Sequence, residues 1–552
     1  MRKCCYLFGI LLVFASCGTK KSLSNRPQDI DISSIDSVRI QQATDFYSLG
    51  NNSLRKNKEG LWEMYVEGDA LERGVAIGSL TRELINKQEK IFMDKVEGMV
   101  SSPSYFNFLI KLVNWYNRKL YKHIKEEYKE EIYGISRFSS STYESFADPY
   151  ILKLYLHGAH DIGHALKDLM LVGCTSFATW GEHTQDGELL IGRNFDFYVG
   201  DEFAEEKIIA FINPDEGQKF MMYTWPGFIG VVSGMNANGI TVTINAGKSK
   251  IPLVAKTPIA LLTREILQYA TTTQEAIEIA KSREVFVSES IMVGSAKEKK
   301  AILIEVSPHN FGVYDVKNSS QLVCSNHFQS EAFSQDKRNL KTIENSHTQA
   351  RFNRMKQLLQ QEEQVNTRKA IEILRNRKGL NNTALGYGNE LAINQLLAHH
   401  GIVFQPQSNL VWVSSNPYQL GAFVAYDIKN AFAEFEQGDF SLKGIDSLKV
   451  AADPFLETEA YQNYEQYRIE ERKLETAITK ENFTKSTEDL EEFVALNSKY
   501  WQAYQLVGMY YYEQKKYDLA LPYFEKALDL EVTTVPDKEK LEKLIKKSKR
   551  KS

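Results

Sequence analysis

The sequence predicts an α+β body followed by an all-helical C-terminal part. Between Gly60 and about Ala159 one short strand pattern precedes long amphipathic helices. From Gly173 to Asp427 short β-type runs alternate with helical stretches, and beyond Lys429 the pattern is helical and rich in charge. Strands, helices and strands again are typical of antiparallel sheets that helices cover on one or both faces.

The composition excludes a disordered chain and argues against a nucleic-acid partner. Of the 552 residues, 43% are hydrophobic and 25% are charged, as in ordinary globular proteins. Lys and Arg number 67 against 71 Asp and Glu, which gives a net charge of −4. So small a net charge on so long a chain provides no positive field to collect nucleic acid.

The first 17 residues, MRKCCYLFGILLVFASC, have the pattern of a secretion signal. Arg2 and Lys3 precede an apolar run about half as long as the ~20 residues that a membrane span requires. The small residues before Cys17 resemble the lipobox of bacterial lipoproteins, in which the cysteine is lipidated. We therefore expect a lipid anchor in the bacterial cell envelope, at the outer membrane and facing the periplasm or the surface, with ordinary secretion as the alternative. Residues 18–57 are then expected to form a tether.

Residues 58–173 are predicted to be a mostly helical segment in front of the catalytic part. Leu61–Gly68 alternates like a strand, whereas Gly74–Met99 and Tyr105–Gly134 have apolar residues at helical spacing.

Residues 174–428 are predicted to supply most strands. Asn238-Gly239 is a strong signal for a two-residue hairpin turn. Pro258 suits the first turn of a helix, and Thr272 with Glu275 forms a capping box before a second helix. The expected strands lie within Cys174–Trp180, Leu189–Phe197, Lys207–Asn213, Phe220–Trp225, Ile229–Asn245, Ser290–Val316, Leu322–Phe328 and Ile402–Asp427.

Residues 429–484 are predicted to be a helical connector, and residues 485–552 to be tetratricopeptide-like helices. A single repeat cannot bury its own apolar face, so it has to stack on neighbours. Such helices could bind a protein partner, and the alternative is a helical hairpin that packs against the catalytic body. The residues at the offsets of the repeat are Gly508, Tyr511, Ala520, Phe524 and Ala527.

One cysteine stands at the centre of the candidate chemistry. Gly173-Cys174 opens a strand, and Arg193 and Asp196 lie on the next strand, after a turn that contains glycine. Both side chains can then reach back towards Cys174. A cationic neighbour lowers the pKa of a thiol, and a carboxylate can orient an amine. A cysteine at a strand start is otherwise more often a small core residue.

The order of several motifs resembles the N-terminal-nucleophile (Ntn) hydrolases of the choloylglycine hydrolase and isopenicillin N acyltransferase superfamily. The resemblance covers roughly residues 60–428 and implies a four-layer αββα sandwich in which residues 174–428 are the catalytic chain. The C-terminal all-α appendage lies outside it. The motifs that carry the resemblance are Glu67–Gly78, Gly173–Ser176, Gly192–Asp196, Gly234–Gly239 with Asn245, Ser325–Phe328, Ala350–Phe352 and His400–Asp427.

The resemblance implies that the chain is cleaved between Gly173 and Cys174, so that Cys174 becomes a new N-terminus. An α-amine has a free pKa of ~7.7–8.0 and can take a proton at neutral pH, so nucleophile and base belong to one residue. Asp196 would hold that amine.

Four further residues receive roles from the same resemblance. Arg193 would favour the thiolate, and Asn245 with Asn326 would donate to the oxyanion. Arg351 would support the ion pairs of the site, with a structural role on a helix surface as the alternative.

The implied activity is hydrolysis of a linear carbon–nitrogen bond in a small-molecule N-acyl amide, through a thioester acyl-enzyme and without a cofactor. One alternative is an acyltransferase that passes an acyl group from a thioester donor to an amine. An alternative of another class is a non-catalytic surface lipoprotein that binds partners through its helical C-terminus. That last alternative predicts a replaced nucleophile, whereas Cys174 is present.

Other candidate residues have weaker support. His157, His160 and His164 share one helical face and could bind zinc, but no acidic or cysteine partner accompanies them, so helix packing is favoured and no metal is expected. Cys324 is expected to be buried packing. Four aromatic residues could line an acyl pocket or belong to the core: Trp180, Phe197, Tyr198 and Trp225.

Overall fold

The computed structural model describes residues 18–27, 33–98, 103–144, 147–158, 171–248, 254–440, 442 and 444–552. Its strands are β1 Ile40–Ala43, β2 Phe46–Leu49, β3 Asn52–Lys56, β4 Trp62–Gly68, β5 Leu171–Val172, β6 Thr175–Thr179, β7 Leu190–Phe195, β8 Phe197–Tyr198, β9 Ile208–Pro214, β10 Phe220–Thr224, β11 Ser233–Asn236, β12 Ile240–Ala246, β13 Glu289–Ser295, β14 Lys300–Val306, β15 Phe311–Tyr314, β16 Gln321–Cys324, β17 His400–Gln405, β18 Leu410–Ser414 and β19 Phe423–Asp427.

The α-helices lie before, between and after these strands. They are α1 Ala70–Leu80, α2 Arg82–Gly98, α3 Pro103–Tyr116, α4 Glu126–Ser136, α5 Pro149–His157, α6 Ile259–Tyr269, α7 Thr273–Lys281, α8 Lys337–Asn345, α9 Thr348–Gln361, α10 Thr367–Leu374, α11 Ile428–Glu436, α12 Glu459–Thr479, α13 Thr487–Leu496, α14 Trp501–Glu513, α15 Tyr517–Leu528 and α16 Val535–Lys551.

Two large sheets organise the body. The larger has eleven strands in the order β1-β2-β3-β4-β9-β10-β11-β12-β13-β14-β15, and the smaller has six in the order β16-β6-β7-β17-β18-β19. Neighbouring strands are antiparallel except for β4 and β9, which run parallel. A short pair, β5 with β8, lies beside the start of β6. The prediction of a mixed α and β fold is confirmed.

Three groups of buried apolar side chains hold the body together. One contains residues of α1, α4, α5 and α6 with one face of the eleven-stranded sheet, including Ile132 and Val242. A second joins the two sheets, with Phe211 of β9 and Ile402 of β17 among its members. The third contains residues of α9 and α10 with strands of the smaller sheet, such as Leu359.

Most of the predicted strands and turns are confirmed. Asn238-Gly239 connects β11 to β12, and Gly239 has a φ of +75°, a conformation that glycine adopts without strain. Pro258 precedes α6, and Thr272 caps α7 by accepting from the backbone N–H of Glu275.

The prediction of a tether over residues 18–57 is wrong for most of its length. Residues 18–23 are helical, and Ser22 is buried. Strands β1 to β3 continue the large sheet, and Leu49 and Leu54 are buried in its core. The strand β1 has every side chain exposed, so its sequence is as polar as that of a linker.

The predicted helical connector, residues 429–484, is only partly helical. The segment 444–458 has two short 3-10 turns, Asp446–Leu448 and Pro454–Glu457, and its Val450 forms an isolated bridge with Phe423 of β19. This segment therefore follows the smaller sheet before α12 begins.

Helices α12 to α16 share a core of their own, rich in aromatic side chains, which also includes Leu396 and Leu420 of the body. Asn497 exchanges two hydrogen bonds with the backbone of Tyr387, at 3.0 and 2.8 Å. The helical C-terminal part therefore packs directly on the loop that precedes β17. None of the helices within the described ranges is long and apolar enough to cross a membrane.

Candidate active site

Cys174 lies immediately before β6 of the smaller sheet, buried in the apolar core that α1, α4, α5 and α6 share with the eleven-stranded sheet. Ser176 of β6 pairs with Arg193 of β7, which brings the guanidinium to the thiol: Arg193 Nη2 donates to Cys174 Sγ at 3.5 Å. Burial raises the pKa of Cys174 to about 11, although Arg193 acts to lower it. The expectation that Arg193 gives a thiol of low pKa is thus not met in the uncleaved chain, because the thiol is only 1% exposed.

Arg193 is fixed by the backbone of the larger sheet. Its Nη1 donates to Val232 O at 2.8 Å and to Ser233 Oγ at 2.5 Å, and its Nη2 donates to Ile244 O at 2.5 Å. The ring of Phe195 lies 4.3 Å from the guanidinium carbon. Arg193 is therefore positioned mainly by neutral groups, and its charge is directed at the thiol.

Asp196 is fully buried, and within the described residues only one of its two carboxyl oxygens has a hydrogen-bond partner. Its main-chain oxygen accepts the N–H of Gly173 at 3.1 Å, and its Oδ2 accepts from Gln395 Nε2 at 3.3 Å. Its Oδ1 has no hydrogen-bond partner among the described residues. Burial raises the pKa of Asp196 to about 8, although Arg351 and Arg193 act to lower it.

Arg351 belongs to the site and not to a helix surface. It projects from α9, is fully buried, and donates through Nη1 to Cys174 O at 2.8 Å and to Thr175 Oγ1 at 2.5 Å. Its Nη2 donates to Asn326 Oδ1 at 2.6 Å and contacts His347 Nδ1 at 2.9 Å. The alternative of a surface position is therefore wrong.

The two predicted oxyanion donors reach the site from different elements. Asn245 of β12 accepts from Ser176 Oγ at 3.1 Å and donates to Cys324 O at 3.4 Å. Asn326, after β16, donates to Ala246 O at 3.0 Å. Because a carboxamide has two N–H groups, each of these asparagines keeps one that a negative oxygen could use.

The structure adds a residue that the sequence does not reveal. Gln395 Nε2 donates to Gly173 O at 3.2 Å as well as to Asp196. The two residues of the first contact are 222 positions apart, and Gln395 stands in a loop without periodicity. No local signal distinguishes it.

The three histidines that could bind zinc are only partly within the described residues. His157 donates through Nδ1 to Lys153 O at 2.8 Å, and its Nε2 accepts from the N–H of Ile229 at 3.0 Å. Burial lowers the pKa of His157 to about 4. It is therefore a packed, neutral histidine, whereas His160 and His164 lie outside the described residues. Across the described part of the chain no group of three or more His, Cys, Asp or Glu could hold a metal ion.

The structure also shows the positions of Cys324 and of the four aromatic residues. Cys324 is buried in the core between the sheets, and burial raises its pKa. Phe197 and Trp225 line one cavity, whereas Trp180 packs at the core between the sheets and Tyr198 donates to Asp201 Oδ1 at 2.9 Å. Phe197 and Trp225 therefore share one cavity.

The family model of acyl-coenzyme A:6-aminopenicillanic acid acyl-transferase matches residues 183–412. This range includes the predicted active-site residues except Gly173 and Cys174, which precede it, as does the predicted lipidation site Cys17. The match supports the predicted likeness to this superfamily.

Two curated proteins are similar to part of the chain. An uncharacterized protein of Archaeoglobus fulgidus is 28% identical over 268 residues, which are 46% of this chain and 45% of that protein. Protein dcd1B of Dictyostelium discoideum is 24% identical over 288 residues, which are 49% of this chain and 54% of that protein. The chain thus spans about half the length of the curated relatives that it matches.

Two solved structures are similar to part of the chain. A Caenorhabditis elegans ortholog of N-acylethanolamine-hydrolyzing acid amidase is 19% identical and covers 42% of this chain and 93% of its own, with a TM-score of 0.31. A mutant conjugated bile acid hydrolase from Clostridium perfringens is 15% identical and covers 50% of this chain and 96% of its own, with a TM-score of 0.34. At such TM-scores these likenesses do not bear on the chemistry of the chain.

Proposed function

We propose that the protein is an N-terminal-cysteine amidohydrolase of the Ntn type, which matures by cleaving its own chain between Gly173 and Cys174. Its body would be the four-layer αββα sandwich, and the three apolar cores support that layering. One observation carries the proposal. The carboxyl of Asp196 is buried, and its Oδ1 has no hydrogen-bond partner among the described residues. The main-chain oxygen of the same residue accepts the N–H of Gly173, next to the proposed cleavage point.

The cleavage step uses the thiol and the peptide bond that precedes it. The sulfur of Cys174 adds to the carbonyl carbon of Gly173, the bond from that carbon to the nitrogen of Cys174 breaks, and the thiol proton passes to the released amine. Water then hydrolyses the thioester, which leaves a carboxylate on Gly173 and restores the thiol. The site needs no other nucleophile.

Cleavage would complete the charge balance of the site. Before it, the thiol is protonated at neutral pH because the pKa of Cys174 is about 11. Afterwards the α-amine of Cys174 is a base, and in its protonated form it is the hydrogen-bond donor that Asp196 Oδ1 lacks. An ammonium close to Asp196 favours the carboxylate and lowers its pKa.

The substrate reaction follows from the same geometry. The α-amine takes the thiol proton as the sulfur attacks an amide carbonyl, and Asn245 with Asn326 donates to the oxyanion. The ammonium then protonates the leaving amine, and water attacks the thioester with the α-amine as base. Loss of one such oxyanion donor typically lowers a rate ~10²–10³-fold.

Acyl transfer is a second candidate, because the family model that matches residues 183–412 is that of an acyltransferase. Water and an amine can attack the same thioester. Product analysis with and without an added amine distinguishes the two: a new amide in proportion to the amine indicates transfer, and unchanged acid release indicates hydrolysis.

The decisive experiment is the intact mass and N-terminal sequence of the chain from residue 18 onwards, beside a Cys174→Ala variant. We expect two chains in the first, one of them beginning at Cys174, and one chain in the variant. A single intact chain in both would contradict the proposal and favour a non-catalytic surface protein.

Anchoring and the C-terminal helices are separate proposals. We propose that Cys17 carries a lipid in the cell envelope, on the sequence pattern of residues 1–17, which lie outside the described residues. A Cys17→Ser variant should move from the membrane to the soluble fraction. For the tetratricopeptide-like helices we propose first a packing role, supported by the two hydrogen bonds between Asn497 and Tyr387.

A further inference from the structure

We infer that Gln395 is a catalytic residue of the self-cleavage step, as the donor to the oxyanion that forms on the carbonyl oxygen of Gly173. The inference rests on the proposed function and adds to it a donor that is separate from Asn245 and Asn326. It concerns maturation and not the substrate reaction.

The hydrogen bonds of Gln395 support this role. Its side chain is buried, and its Nε2 lies 3.2 Å from Gly173 O and 3.3 Å from Asp196 Oδ2. With two N–H groups, the amide can contact the scissile carbonyl and the carboxyl together. In the described part of the chain, Gln395 thus supplies a side-chain donor to Gly173 O.

Hydrogen bonds hold the backbone on both sides of the scissile bond, which fixes the position of Gly173 O relative to Gln395. Leu171 and Val172 pair as a strand with Tyr198 and Phe197. The N–H of Gly173 is bound to Asp196 O, and Arg351 donates to the carbonyl after the scissile bond, Cys174 O, at 2.8 Å.

Gly173 permits the close approach of Gln395. A Cβ on residue 173 would lie 2.7 Å from Gln395 Nε2, closer than real Cβ contacts. The absence of a side chain at the cleavage position is therefore what allows the amide to reach the carbonyl oxygen.

The loop that carries Gln395 is itself fixed. Leu396, the next residue, has a φ of +56°, which is unusual for a side chain of its type, and it is buried in the core of the C-terminal helices. Its N–H donates to Asn394 Oδ1 at 3.0 Å, and its carbonyl accepts from Tyr464 of α12 at 3.4 Å. Because these contacts hold Leu396 in its strained conformation, they also fix the backbone at Gln395 and so the direction in which its side chain leaves the loop.

The chemistry follows from these contacts. As the sulfur of Cys174 adds to the carbonyl carbon of Gly173, negative charge collects on the carbonyl oxygen, and the hydrogen bond from Gln395 strengthens. When the carbon–nitrogen bond breaks, the charge returns to a carbonyl. A donor already in place needs no reorganisation during the step.

The test compares two buried glutamines. Gln395→Leu removes the donor at nearly constant volume, and Gln419→Leu is the matched control, because Gln419 is also fully buried and its Nε2 donates to a backbone carbonyl, Leu374 O, at 2.7 Å. The rate constant of cleavage is measured by intact mass after a short pulse of expression.

We expect Q395L to be cleaved ~10²–10³-fold more slowly than the wild type, and Q419L to be cleaved about as fast as the wild type. Equal rates for Q395L and Q419L would overturn the inference and leave the proposed function intact. An uncleaved wild type would instead overturn the proposed function.

A second variant covers the case in which Q395L does not fold. Gln395→Glu keeps the shape, and its carboxyl can donate only while it is protonated. We expect the cleavage rate of Q395E, divided by that of the wild type, to fall as the pH rises from 5 to 8. A ratio that does not change with pH would contradict the inference.

Discussion

Glu131 and Asp196 are both fully buried, and each lies near two arginines. Glu131 of α4 forms ion pairs with Arg73 at 3.0 Å and with Arg264 at 3.1 Å. Burial acts to raise the pKa of Glu131, but the two arginines outweigh it, and the pKa is lowered. This cluster joins α4 to α1 and α6.

At Asp196 the balance is reversed, and burial raises the pKa to about 8. The difference lies in what the arginines contact. Arg193 and Arg351 donate to main-chain oxygens, such as Ile244 O and Cys174 O, and neither donates to the carboxyl. Glu131 is paired directly with both of its arginines, whereas Asp196 Oδ1 has no hydrogen-bond partner among the described residues. We propose that cleavage before Cys174 supplies that partner.

The largest effect is expected at the structural cluster. Glu131→Ala leaves two arginines buried without their countercharge and should lower the free energy of unfolding by ~3–5 kcal/mol. Denaturant unfolding in the Cys174→Ala background, in which the proposed cleavage cannot occur, measures it. Glu126→Ala on the same helix should cost less than ~1 kcal/mol, because Glu126 is 63% exposed in its pair with Lys129. If both variants lost the same free energy of unfolding, the Glu131 cluster would not be what stabilises the contact of α4 with α1 and α6.

The second prediction concerns the helices that hold the loop of Gln395. Gly386 has a φ of +77°, and a Cβ there would lie 2.5 Å from the backbone of Tyr500. Gly386→Ala should therefore cost ~1–3 kcal/mol more than Gly438→Ala, which has nearly the same φ and no neighbour within 4 Å. The same unfolding measurement applies, and an equal cost for both would indicate that the C-terminal helices do not pack tightly at this loop.

The third prediction is a pH dependence of opposite sign at the two carboxylates. Because the folded precursor raises the pKa of Asp196 from 3.8 to about 8, its contribution to stability is present at low pH and is lost as the pH rises through this range. In the Cys174→Ala background, Asp196→Asn should be more stable than its parent by ~2 kcal/mol at pH 8 and no more stable near pH 4.

Glu131 provides the matched comparison for that experiment. Its pKa is lowered in the fold, so its contribution is present at neutral pH and is lost as the pH falls. Glu131→Gln should therefore destabilise the protein most at neutral pH. If Asp196→Asn were also destabilising at pH 8, the two sites would not differ as described.

The smallest effect is expected at the cleavage position. Gly173→Ala forces Gln395 away from the carbonyl oxygen and should slow self-cleavage about tenfold, which corresponds to ~1.4 kcal/mol. Gly98→Ala, where a Cβ would meet nothing within 4 Å, is the control. Cleavage is followed by intact mass, and an unchanged rate for Gly173→Ala would argue against a close contact with Gln395.

The sequence is most informative where the relevant contacts are local. Cys174 stands directly before β6, and Arg193 and Asp196 stand on and directly after β7, the strand that follows in the chain and pairs with β6. Their proximity therefore follows from the pairing of consecutive strands. Asn326 and Arg351 could be predicted only from the order of motifs, since nothing near them indicates that they meet.

Contacts between distant segments could not be predicted. Gln395 approaches Gly173 from a loop whose Leu396 is buried in the core of the C-terminal helices, and no pattern in the loop encodes that contact. The sequence of strand β1 predicts a tether because its exposed side chains match those of a linker, although strands β2 and β3 bury Leu49 and Leu54 beside it.

The protonation state of Asp196 before and after cleavage is the sharpest test of the proposed maturation. The infrared carboxyl band can be assigned by difference from Asp196→Asn, in the Cys174→Ala chain and in the cleaved wild type. We predict a protonated carboxyl at pH 7 in the intact chain and a carboxylate in the cleaved enzyme, where the new ammonium of Cys174 supplies the missing partner. The same protonation state in both forms would contradict the account.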